Sequence, residues 1–275
     1  KIQNGCIQIE ASKQRRIKNG KGSDKGMEHE LVLVCAGADE RPAKASGLPL
    51  LHLCLGLRPN GGLQRLTLPA RMTGCYLGVC DRGMERFSPA VCEQLISEAE
   101  RMGAVGLVVD CERETEPVQA FLSALDAQCA GRHLPLYVPL VQADCVRTAH
   151  LIADTAISGG SLLDRFQELV QRYPGRIAAD LRPVSCDFTL PSPNSDGTVL
   201  HASEREALRM RTGAQTFFSR ELCARYFTYM DEAENGHFVL FDDSDTMREK
   251  CRCLTDLGVH PFFARYPDVK PLISP

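Results

Sequence analysis

The chain has no tryptophan, and aromatic residues make up only 6% of its 275 positions. The flat indole faces on which sugar-binding clefts commonly rely are missing, so a carbohydrate site here has only smaller rings to work with. A basic excess is missing too. Lys and Arg number 32 against 35 Asp and Glu, a net charge of −3, which argues against a nucleic-acid partner because nothing is left over to neutralise phosphates. No stretch approaches the roughly 20 consecutive apolar residues of a membrane helix, so no membrane partner is expected. The apolar run from Leu31 to Ala38 is short and meets Asp39 and Glu40 at once, which argues against a signal core. Paired cysteine motifs are absent as well: the 13 cysteines are scattered singly through apolar segments and read as reduced thiols of a cytoplasmic protein. Cys251 and Cys253 would diverge by about 200° on a helix, and no His-x-x-x-His spacing joins them. Gly61-Gly62 and Gly159-Gly160 lack the Lys-Ser/Thr of a phosphate loop. No metal and no cofactor is expected.

Hydrophobic residues make up 44% and charged residues 24%, the balance of a globular protein long enough to bury a sizeable core. Residues 1–26 differ from the rest. Lys1, Lys13, Arg15, Arg16, Lys18, Lys21 and Lys25 stand against only Glu10 and Asp24, which reads as a solvated, flexible basic tail. From residue 27 to 275 short apolar runs alternate with helical patterns. Strands are expected at 31–36, 48–55, 74–80, 104–110, 134–140, 150–157, 176–182 and 259–264. Helices are expected at 89–102, 117–130, 161–173, 203–212 and 244–257, the first opened by Ser88-Pro89 and the last capped by Ser244 or Asp243 and closed by Gly258. Such alternation implies a mainly parallel sheet, and eight strands suggest a closed (β/α)₈ TIM barrel. Residues 187–241 break the rhythm with Pro191, Pro193, the turn Asn194-Ser195-Asp196-Gly197 and aromatic runs. They read as a small α+β insertion between the seventh and eighth barrel strands.

The most informative segment is 103–114, where the apolar run Val105 to Val109 stops at Asp110 and Glu112. Side chains two apart on a strand share a face. At the C-terminal end of a barrel strand, that places two acids together in the pocket where such barrels gather their functional groups. The alternative is structural: acids at strand ends also cap helices or pair with arginine, and Arg113 and Arg182 are candidate partners. In the fifth strand Tyr137 shares a face with Pro135 and Pro139 by alternation, which allows its hydroxyl to point inward or its ring to serve as core. Phe238 to Thr246 has the apolar run and aspartates of a phosphatase nucleophile loop but the wrong spacing, and reads as a helix cap.

Taken together, these segments resemble the family 18 glycoside hydrolases, which include chitinases and spore-cortex hydrolases. The family's fourth barrel strand reads Asp-x-x-Asp-x-Asp-x-Glu. Laid on this chain the positions are Val105, Val108, Asp110 and Glu112, so two acids match and two have become valine. Late in the chain, Phe241-Asp242-Asp243, a capped helix, Gly258 and a final strand follow the family's order. The sixth-strand tyrosine of the family has no counterpart in Ala153 to Ser158, and Phe262-Phe263-Ala264 stands where the family ends its last strand in tryptophan. The resemblance implies a hydrolase of N-acetylglucosamine-containing glycans, the substrate-assisted exception to two-carboxylate glycosidases. It implies Glu112 as general acid and Asp110 as orienter of the acetamido group. Tyr137, Ser158 and Phe263 are left to line the sugar site. Glu112 would need partial burial beside the anion to stay protonated near neutrality. The alternative is an eroded barrel that binds a glycan or protein without cleaving it. To the cytoplasmic setting read from the thiols the resemblance adds spore association as an expectation.

Overall fold

The structure is a computed structural model that describes residues 31–35, 38–66, 74–191 and 197–273. The basic tail 1–26 and the turn residues Pro193 to Asp196 lie outside the described residues. The chain opens with β1 (Leu31–Cys35), α1 (Glu40–Ala45) and β2 (Leu50–Leu57), whose end folds back into a short arm, β3 (Leu63–Arg65). There follow β4 (Tyr76–Asp81), α2 (Ala90–Met102), β5 (Gly106–Asp110), α3 (Glu116–Gly131), β6 (Leu136–Pro139), β7 (His150–Asp154), α4 (Leu162–Arg172) and β8 (Ile177–Asp180). An inserted unit of β9 (Ser185–Leu190), β10 (Thr198–Val199), α5 (Ala202–Thr212), β11 (Phe217–Ser219), β12 (Ala224–Met230) and β13 (Gly236–Phe241) comes next. The chain then returns through α6 (Ser244–Asp256), β14 (Phe262–Arg265) and α7 (Tyr266–Ile273).

Eight of these strands close a parallel ring in the order β1-β14-β8-β7-β6-β5-β4-β2, with β1 paired to β2. The fold is the (β/α)₈ barrel that the alternation implies, with an antiparallel five-stranded sheet, β10-β9-β13-β12-β11, inserted before the last barrel strand. The barrel strands read as continuous apolar runs because both of their faces are buried. Outward residues such as Leu33, Leu77, Leu107 and Leu151 pack beneath the helices. Their neighbours Val32, Leu51, Val108, Tyr137, Ala178 and Phe263 fill the barrel interior as a separate cluster. Across that interior the rings of Tyr76, Tyr137 and Phe263 meet edge-to-face with centroids 5.2–5.7 Å apart.

Local chemistry sets the helix ends. Gly103 closes α2 at φ 71°, a left-handed turn that favours glycine. Asp243, rather than Ser244, caps α6. Its Oδ1 accepts from the backbone N–H of Thr246 at 2.9 Å, while Thr246 Oγ1 accepts from the N–H of Asp243 at 2.9 Å. Ser88 makes no side-chain cap, and α2 begins one residue after Pro89.

A buried ion pair ties the insertion to the barrel. Lys250 Nζ on α6 donates to Asp242 Oδ2 at 2.7 Å and to the carbonyl of Thr155 beyond β7 at 3.3 Å. Asp242 also accepts from the backbone N–H of Val184 at 2.8 Å and from Thr246 Oγ1 at 2.8 Å. Both charged side chains are at most 1% exposed. The Phe-Asp-Asp segment is therefore a structural junction.

Candidate active site

Four barrel strands end in aspartate: β4 in Asp81, β5 in Asp110, β7 in Asp154 and β8 in Asp180. The strands are parallel, so all four acids reach the same, C-terminal end of the barrel, where Asp110, Asp154 and Asp180 line the mouth and Asp81 does not. Their surroundings then diverge. Asp81 accepts from the backbone N–H groups of Gly83 and Met84, both at 2.8 Å, and from Arg113 Nη2 at 2.9 Å. Burial works against its charge, but these donors hold its carboxyl below the usual range. Asp154 pairs with Arg182 and accepts from the N–H of Ala156 at 2.8 Å. Arg113 and Arg182, the candidate partners of Asp110 and Glu112, are thus both engaged elsewhere.

The side chains of Asp110 and Glu112 make no hydrogen bond or ion pair among the described residues, and neither does the carboxyl of Asp180. All three line a pocket of about 400 Å³ at the barrel mouth, together with Asp154, Arg182, Arg265 and Asp268. Leu51, Val108, Ile152 and Phe263 form its apolar floor. Burial raises the carboxyl of Asp110 above its ordinary range, and the charges of Glu112 and Asp81 add to the effect. Asp180 is pushed further, to about 6. Burial is the main cause, Arg265 opposes it, and Asp110, Asp268 and Glu112 reinforce it. Asp180 sits in register with Asp154 on one side and Phe263 on the other.

One expectation about the fourth-strand motif changes, and its two valines separate. Glu112 lies just beyond the strand and is exposed, and Asp110 at the last strand position is exposed as well, so of the three acids only Asp180 is half-buried, the strand having ended before Glu112 can be drawn into the barrel. The two valines also part company. Val108 is buried in the interior, but Val105 precedes β5 at the opposite end and is 43% exposed, so only Val108 makes the interior more apolar.

The other sugar-site candidates are spread out. Phe263 forms floor. Tyr137 points inward but lies beneath that floor, 6% exposed, its ring stacked on His150 with centroids 4.8 Å apart, and burial raises its hydroxyl pKa. Ser158 is exposed in the loop after β7 and lines a second cleft, of about 850 Å³, between barrel and insertion. The two hollows share Arg182, Arg265 and Asp268 as lining. Asp180 was the residue missed in sequence. The signal was there, since Ile177-Ala-Ala-Asp180 repeats the pattern of Leu107-Val-Val-Asp110.

With this geometry in view, solved structures give a consistent match. A chitinase from Chromobacterium violaceum ATCC 12472 aligns over 86% of this chain and 93% of its own, with TM-score 0.58 and 16% identity. The spore cortex-lytic enzyme SleL of Bacillus cereus aligns over 86% of this chain and 70% of its own, with TM-score 0.57 and 15% identity. A class V chitinase from Nicotiana tobaccum, in complex with NAG4, aligns over 86% and 93%, with TM-score 0.53 and 12% identity. The chain has the fold of these hydrolases. No family model matches the sequence, and no curated protein does, so at this identity the likeness is one of architecture, that of a family 18-like barrel. No described helix is long and apolar enough to cross a membrane.

Proposed function

We propose that the barrel mouth binds and hydrolyses a glycan containing N-acetylglucosamine, with Glu112 as general acid and Asp110 as its partner. The observation that carries this reading is the pair of unpartnered carboxylates opening into a pocket at the C-terminal end of the barrel. A carboxylate left without a protein donor is available to a ligand. In the proposed step the acetamido oxygen of the substrate attacks the anomeric carbon as the glycosidic C–O bond breaks. Glu112, covered by the seated glycan and so kept protonated beside Asp110, gives its proton to the departing oxygen, and water later opens the oxazolinium ring and returns a proton to Glu112. Asp110, facing the positive charge that develops on the acetamido nitrogen, stabilises it electrostatically. Phe263 offers its ring to an apolar sugar face, Tyr137 supports it from below, and Ser158 extends the lining on the side of the second cleft. The NAG4 complex of the Nicotiana chitinase supports the substrate class. The described cysteines are all free, which suits a reducing, cytoplasmic setting.

The test is turnover of a chromogenic N-acetylglucosamine oligomer. The expected result is measurable release that falls about 10²–10⁴-fold in Glu112→Gln, the range general acid catalysis contributes. Equal turnover by both proteins removes Glu112 from the role. Oligomer binding without turnover identifies a barrel that binds without cleaving, and absence of both overturns the reading.

A further inference from the structure

The second cleft contains a cation without a counter-ion. Arg182 is matched by Asp154, Arg265 by Asp268 at 2.7 Å, Asp243 by Arg225 and Asp242 by Lys250. Arg205, on the first turns of α5, has no carboxylate partner among the described residues. It is half-buried, with its guanidinium carbon 4.3 Å from the centroid of the Phe241 ring, and Nη1 donates to Ser185 Oγ at 3.1 Å. Ser185 Oγ in turn donates to the carbonyl of Leu200 at 2.8 Å. A guanidinium carries five N–H donors in a fixed fork. One is used here, and the ring and the serine hold the fork in place. Burial lowers the proton affinity of Arg205, and the nearest acids, Glu206, Asp243 and Asp242, only partly offset this. A held cation short of hydrogen-bond acceptors is a receptor for a planar anion.

The cleft that Arg205 lines adjoins the barrel mouth, the two sharing Arg182, Arg265 and Asp268 as walls. A ligand seated over Asp110 and Glu112 can therefore extend into it. From this we infer that the cleft takes a carboxylate carried by a neighbouring sugar of the bound glycan, with Arg205 as the residue that selects acidic over neutral chains. The inference rests on the glycan reading of the mouth and names its substrate class more narrowly. The mouth itself is rich in acids, so a carboxylate is repelled there and attracted only in the adjoining cleft. Charge thus fixes the register of the chain as well as its identity.

The experiment measures binding in the Glu112→Gln background, where hydrolysis does not consume the ligand. Two probes of equal length are compared by calorimetry: an N-acetylglucosamine oligomer, and an oligomer in which N-acetylglucosamine alternates with the carboxylate-bearing N-acetylmuramic acid. The acidic oligomer is expected to bind about 10- to 100-fold more tightly, as hydrogen bonds to a charged partner allow. The added substitution Arg205→Met keeps an apolar stem on Phe241 and is expected to bring the ratio to about one, with Arg205→Lys between the two. Thermal melting of each variant reports whether it is folded. A ratio near one before Arg205 is changed, or a preference that survives Arg205→Met, overturns the inference and leaves the glycan reading standing. Failure of both probes to bind overturns the glycan reading and this inference with it.

Discussion

At the residue scale, the four strand-terminal aspartates show how one position in a repeating fold acquires different chemistry from its neighbours. Asp81 and Asp154 meet arginines and backbone donors, while Asp180 meets other acids and an apolar floor. The alternation of an apolar run and a terminal acid was legible in all four strands, and for β5 it led directly to Asp110. Which arginine serves which acid was not legible. Arg113 lies three residues from Asp110 yet reaches Asp81, because the loop after β5 turns toward the neighbouring strand. For Asp180 the direction of its shift gives a stability prediction. The folded state holds this proton up to about pH 6, whereas an unfolded aspartate releases it near 3.9. As pH rises from about 4 through 6, the folded state must accept a poorly solvated charge and loses stability relative to the unfolded state. Asp180→Asn removes that charge. It is expected to raise unfolding free energy at pH 7.5 by about 1–3 kcal/mol and to have almost no effect at pH 3.5. Urea unfolding at the two pH values checks this, and a gain of equal size at both would assign the effect to packing instead.

At the element scale, the barrel strands and major helices were readable because their periods and ends are locally encoded. Gly103 and Gly258 adopt the left-handed turns that stop α2 and α6. Elements α1, β3 and α7 were not foreseen. The first is six residues long and the second three, too short to show a period, and α7 carries Pro271 within its span. Nor did the sequence reveal that Asp242, beside the cap residue, is the buried partner of Lys250. That pair joins α6, the end of β7 and the entry to the insertion through one carboxylate and one ammonium. Lys250→Met retains much of the side-chain volume but leaves Asp242 as a buried anion without its cation. The expected cost is about 3–5 kcal/mol, read as a lowered urea midpoint at unchanged slope. A loss below about 1 kcal/mol would show that water or the donors from Val184 and Thr246 suffice for Asp242.

At the scale of the whole molecule, the ring of eight strands follows from alternation alone, but the relation of the inserted sheet to the barrel depends on contacts that no local pattern encodes. Leu222, Cys223, Ala224 and Leu240 of the insertion belong to the same buried cluster as the outer face of the barrel. The backbone N–H of Leu162 at the start of α4 donates to the carbonyl of Glu221 at 2.8 Å. With the Lys250–Asp242 junction, these contacts make the root of the insertion part of the barrel's own packing. The cysteines provide a measure of this. Burial raises Cys92 to about 11, and Cys129 and Cys223 to about 12, and all three are at most 5% exposed. Thiolate is the reacting form, so at pH 8 these thiols meet a disulfide reagent only when the structure opens. Cys92 and Cys129 report on the layer between helices and barrel, Cys223 on the root of the inserted sheet. If the two unfold as one cooperative unit, the three sites are expected to label with the same opening free energy and the same denaturant dependence, while the denatured chain titrates all 13 thiols at once. Labelling of Cys223 at a rate orders of magnitude above that of Cys92 and Cys129, with a shallower denaturant dependence, would instead show that the insertion opens independently while the barrel stays folded.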